Sequence, residues 1–130
     1  MVIVQEVTKE QMIKLTGKNY LGFSDYRRGR IYILKTLSNK VKKETILHEK
    51  GHFVFRKKRP YIGKKLKQEM KRTPLYSDYK KDYKHKPNKI PEELLVQLRA
   101  EVKSGRINKQ QIGFIRKQYP YTFKKLRSIL

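Results

Sequence analysis

The sequence predicts an α+β fold: a small antiparallel sheet, an H-E-x-x-H helix, and a mainly helical C-terminal half. Three observations predict it. Short β-branched and aromatic runs, Val2-Ile3-Val4 and Arg30-Ile31-Tyr32-Ile33-Leu34, lie near the N-terminus. From Val41 onward the apolar residues recur at helical spacing instead of alternating. Pro60, Pro74, Pro91 and Gly105 then punctuate that stretch into separate helices.

The elements follow in order. After the Val2–Val4 strand, Thr8-Lys9-Glu10-Gln11 has the form of a capping box and opens a short helix through Met12, Ile13 and Leu15 that Gly17 ends. Tyr20–Phe23 and Arg30–Leu34 flank a turn-like Ser24–Gly29 and predict a β-hairpin. Ser38 or Asn39 caps a helix expected from about Lys40 to Phe55. Ile62, Leu66 and Met70 suggest a short helix stopped near Thr73-Pro74, and Tyr76, Tyr79 and Tyr83 suggest another. Pro91, with Glu92 and Glu93 behind it, starts a helix with Leu94, Leu95, Leu98 and Val102 on its apolar face. Asn108 caps the next, and a last helix is expected from about Tyr121 to Leu130.

Size and composition bound what the chain can be. At 130 residues it is expected to form a single domain over residues 1–130. No run approaches the roughly 20 apolar residues that span a bilayer, and no secretory pattern opens the chain, so a cytoplasmic location is expected. Without cysteine, a metal site here must use His, Asp or Glu. The net charge of +23, from 34 basic against 11 acidic residues, is spread along the chain and attracts polyanions. Nucleic acid is the first such candidate and an acidic protein or lipid surface the next, and Tyr76, Tyr79 and Tyr83 among lysines offer either stacking surfaces for bases or core packing.

His48-Glu49-Lys50-Gly51-His52 carries the chemistry. Histidines four apart share one helical face and can hold one zinc ion, and the glutamate beside the first can serve as general base towards water there. Val41, Thr45, His48, His52 and Phe55 form the stripe expected to face the protein. Gly51, between the ligands, costs about 1 kcal/mol in helix propensity and leaves room for another element to approach.

A catalytic zinc needs a third protein ligand. Glu93, Glu101 and His85 are the candidates. Gln97, one turn after Glu93, is placed to hydrogen-bond a ligand histidine, and the small Ala100 lets its helix come close. Glu92 and Glu93 also fit a plain role facing the helix dipole.

This pattern resembles the gluzincin metallopeptidases, in particular the minigluzincins and the ImmA/IrrE-type peptidases, over roughly Arg30 to Gly105. The resemblance implies a zinc-dependent peptidase acting on a peptide or protein substrate. It would use His48, His52 and Glu93 as ligands and Glu49 as base, with the edge strand near Ile31–Leu34 pairing an extended substrate. Gln97 stands where thermolysin-like relatives carry aspartate. No His, Tyr or Arg is marked by the pattern to steady the substrate's oxyanion, although Tyr61, Tyr76, Tyr79, Tyr83 and His85 are available, so weak, latent or lost activity is expected. Two other readings compete: a nucleic-acid-binding protein with a structural or vestigial metal site, and a metal-free interaction protein whose motif helix is a basic amphipathic element.

Overall fold

A computed structural model describes residues 2–130. The order is β1 (Ile3–Val7), α1 (Lys9–Thr16), β2 (Gly22–Asp25), β3 (Arg30–Leu34), α2 (Asn39–Lys58), α3 (Lys64–Met70) and α4 (Pro74–Asp82). A 3-10 turn at Pro87–Lys89 leads into α5 (Ile90–Lys103), α6 (Lys109–Gln118) and α7 (Pro120–Ile129). The fold is α+β.

The sheet is mixed, where the sequence suggested an antiparallel one. β2 and β3 form the expected antiparallel hairpin, but β1 pairs with β3 in parallel, giving the order β1-β3-β2. The reason lies in α1. Its Thr8 capping box starts the helix immediately after β1, and the chain crosses over before it returns as the hairpin, so β1 joins the far side of β3 in the same direction. β3 is therefore the central strand with both edges paired. The edge strand near the site is β2, and the expectation that Ile31–Leu34 receives an extended substrate is corrected accordingly.

Alternation along β3 divides the interior. Tyr32 and Leu34 pack with Val7 and Met12 of β1 and α1, while Ile31 and Ile33 are buried from the other face, where α2 crosses the sheet. A larger core gathers Leu66, Met70, Leu94, Leu95, Leu126 and Ile129 from α3, α5 and α7. Tyr76 and Tyr79 pack against it, so the packing alternative for these tyrosines prevails. The carboxylate of buried Glu69 accepts from the backbone N–H groups of Tyr121 and Thr122, at 3.1 and 2.7 Å, and so caps α7 from another helix.

The caps on the site-bearing elements are those the sequence signals. Ser38 accepts from the Val41 amide at the start of α2, and Pro91 lies in the first turn of α5. α2 runs past Phe55 to Lys58, because a left-handed Arg59, not the following Pro60 alone, ends it. Its closest partner is α5. A Cβ on Gly51 would stand 2.8 Å from Val96 Cγ1, so the bare glycine sets how near the two helices come. On the other side, a Cβ on Gly22 would lie 2.6 Å from Thr45 Cγ2 and 3.2 Å from Glu49 Cγ, which seats the edge strand directly on the motif helix.

Candidate metal centre

α2 presents His48 and His52 one turn apart, with ring centroids 5.0 Å apart and planes at 73°. α5 places Glu93 against both. His48 Nε2 lies 3.0 Å from Glu93 Oε2, His52 Nε2 lies 3.1 Å from Glu93 Oε1, and the two Nε2 atoms are 3.2 Å apart. Ligand atoms around a tetrahedral zinc with bonds of about 2.0–2.1 Å stand roughly 3.3–3.4 Å from one another. The two imidazole nitrogens and the carboxylate are thus spaced close to that requirement, and the donor set, two imidazoles and one carboxylate, suits zinc. The residues fit the metal.

The outer ring nitrogens are held as well. His48 Nδ1 donates to Gln97 Oε1 at 2.7 Å, and His52 Nδ1 donates to Glu92 Oε2 at 2.5 Å. Each contact puts a proton on Nδ1, which in the neutral imidazole leaves the Nε2 lone pair free to coordinate. Gln97 was legible from its spacing with Glu93. Glu92 was not: its helix N-terminal position offered a sufficient reason for an acidic residue. The clue was that successive residues on a helix diverge by about 100°, so neighbouring carboxylates can serve two different histidines.

His48, Glu49 and His52 also offer ligand-type atoms within 4.8 Å of one another. Glu49, however, turns towards the edge strand. The buried Ser24 hydroxyl lies 2.7 Å from Glu49 Oε1 and 3.2 Å from the Glu49 carbonyl oxygen, and donates to this one residue. Glu93, with an oxygen on each imidazole, is the better third donor, and Glu49 is left beside the centre. Of the other two candidates, Glu101 faces Arg106, 4.0 Å away. His85 is exposed and lines a separate hollow with Lys18 and Lys86.

Charge in the metal-free site is shared through protons. Burial pushes the His52 imidazole down, but hydrogen bonds to Glu92 and Glu93 and the charges of Glu93 and Glu49 outweigh it, raising its pKa from 6.5 to about 10. Burial likewise pushes Glu93 up, yet hydrogen bonds from His48 and His52 hold it well below the usual carboxylate range. Protons therefore hold the place that a cation would take.

Glu49 and Glu93 line a hollow of about 230 Å³ together with Ser24, Tyr20, Tyr26 and Tyr83. Burial, then the nearby Glu93 charge and a hydrogen bond to it, push the Tyr83 phenol above its ordinary range, so it remains a proton donor at working pH. Tyr26 is pushed up to about 12, chiefly by burial, and carries the Arg56 guanidinium 3.7 Å from its ring centroid. Of the tyrosines the sequence offered, Tyr61 is 78% exposed and Tyr76 and Tyr79 pack on the core. Tyr83 is the one that lines the hollow with Glu49 and Glu93.

No protein-family model, curated protein or solved structure matches this chain.

Proposed function

We propose that this protein is a small zinc-dependent metallopeptidase. The observation that carries the reading is the meeting of His48 Nε2, His52 Nε2 and the Glu93 carboxylate within about 3 Å of one another, with Glu49 poised beside them. His48, His52 and Glu93 would hold the ion, and Glu92 and Gln97 would orient the two rings. Zinc, when bound, supplies Lewis-acid polarisation of the scissile carbonyl and acidifies water.

The remaining work falls to the chain. Glu49 takes a proton from the attacking water and returns it to the leaving amine. Ser24 fixes Glu49 Oε1, which leaves Oε2 for that transfer. Tyr83, protonated and facing the hollow, donates to the carbonyl oxygen as it gains charge. The free edge of β2, seated on α2 through Gly22, receives an extended peptide by backbone pairing.

The test is zinc content of protein purified without a polyhistidine tag, combined with cleavage of an unfolded protein substrate. One zinc per chain, lost in His48→Ala and in Glu93→Ala, and cleavage lost in Glu49→Gln with zinc retained, would sustain the reading. A Glu49→Gln protein as active as wild type would overturn it.

A second reading keeps the same metal centre in a structural role on a nucleic-acid-binding protein. The +23 charge favours it. It predicts duplex or single-strand binding that weakens steeply with salt and does not change in Glu49→Gln.

A further inference from the structure

The hollow that holds Glu49 and Glu93 does not end at the metal ligands. Tyr20, Tyr83 and Lys89 line it and also line a neighbouring hollow of about 530 Å³, so the two adjoin along these three residues. Lys18, His85 and Lys86 join the wall of the second hollow, against one acidic residue, Asp82. Lys18, Lys86 and Lys89 are exposed, and none of them forms an ion pair among the described residues. Phe23 also borders another hollow, lined by Lys14, Arg27 and Arg28 with Asp25.

We infer that this groove selects acidic polypeptide segments: carboxylate side chains flanking the scissile bond would pair with Lys18, Lys86 and Lys89. The inference rests on the peptidase reading and deepens it. Lys18, Lys86 and Lys89 outnumber Asp82 in the wall of the second hollow, and a chain of negative charge gains from pairing with exposed lysines that have no ion-pair partner among the described residues. An extended peptide also meets the unpaired edge of β2, which a nucleic-acid strand cannot satisfy by backbone pairing. Of the tyrosines that were candidates for stacking bases, Tyr76 and Tyr79 are engaged with the helical core.

The experiment uses the zinc-loaded full chain and three fluorescent probes of equal length: an Asp/Glu-rich peptide, its Asn/Gln counterpart, and an oligonucleotide. Anisotropy with Glu49→Gln reads binding, and wild type reads cleavage. The acidic peptide is expected to bind at least about tenfold more tightly than the neutral one at low salt. That preference is expected to vanish in Lys18→Glu/Lys86→Glu/Lys89→Glu and to survive in Lys109→Glu/Lys117→Glu/Lys124→Glu, which removes the same charge from α6 and α7. Equal loss in both triple variants would overturn the groove as the selector, as would equal binding of the two peptides. Displacement of the acidic peptide by the oligonucleotide, abolished by the groove variant alone, would also overturn it and assign the groove to nucleic acid. Selective binding of the acidic peptide with no cleavage would leave the groove standing and remove the peptidase reading. Cleavage of both peptides at the same rate would do the reverse.

Discussion

Ser24 and Glu49, 25 residues apart in sequence, meet through a buried hydrogen bond of 2.7 Å from the serine hydroxyl to Oε1. Gly22 makes that contact possible by letting the edge strand rest on Thr45 and Glu49. A carboxylate held by one oxygen keeps a single rotamer, and in the proposed reaction a general base must sit within hydrogen-bond reach of the water it activates.

Ser24→Ala is expected to lower kcat about tenfold or more because the base loses its orientation, with a smaller change in KM because only a hydroxyl leaves the wall of the hollow. Zinc content stays at the wild-type level. Stopped kinetics on a single peptide substrate and metal analysis separate the two quantities. An unchanged kcat would show that Glu49 is positioned by other means.

The distance between α2 and α5 decides whether the histidines reach Glu93 and Gln97. Gly51→Ala gains about 1 kcal/mol in helix propensity, but the new methyl would lie 2.8 Å from Val96 Cγ1, a β-branched side chain with little freedom to move aside. The helices are expected to separate, with net loss of thermal stability and weaker zinc retention. Gly51→Ala/Val96→Ala is expected to recover zinc affinity, since the smaller partner readmits the close approach. A double-mutant cycle on affinity for zinc measures the coupling, and strict additivity would dismiss the contact.

His52 makes the metal-free protein sensitive to alkali. Its pKa is raised from 6.5 to about 10, so the stability it contributes is complete below pH 6.5 and is lost as the pH rises through about 10. The self-repulsion of a +23 chain adds a pH dependence of its own. The readout is therefore the difference between wild type and Glu92→Gln, both treated with chelator. Wild type is expected to be more stable at pH 6, with the gap closing towards pH 10. Parallel melting curves across that range would contradict the assignment. The same protons compete with a metal, so zinc affinity is expected to rise with pH.

Much of this site was legible in the sequence for local reasons. The motif, its helix and the Glu93-x-x-x-Gln97 repeat depend on helical spacing alone. Caps such as Thr8 and Asn108 depend on residues three apart, and both form capping boxes. What escaped depends on contacts between distant segments. Ser24 reads as an ordinary turn residue until β2 is laid on α2. The parallel addition of β1 depends on where the α1 crossover lands, which no periodicity encodes. Glu92 fits a plain helix-dipole role and Glu69 carries no local signal, and their partners lie 40 to 53 residues away.

Glu69 supplies the last prediction. It is 6% exposed, and its two carboxylate oxygens accept the Tyr121 and Thr122 amides at the start of α7, where Pro120 has no N–H of its own. Truncation leaves two backbone donors without their acceptor. Glu69→Ala is expected to destabilise the fold by about 2–3 kcal/mol, in the range for buried hydrogen bonds to a charged group. Glu69→Gln keeps one acceptor oxygen and is expected to lose less. Although α7 packs on α5 through Leu126 and Ile129, no α7 side chain hydrogen-bonds Glu92, Glu93 or Gln97 among the described residues, so the loss should reach the metal centre only through global unfolding. Urea melts give the stability change, and zinc affinity measured well below the transition should match wild type. A zinc affinity that falls in step with stability would mean instead that α7 supports the position of Glu93 directly.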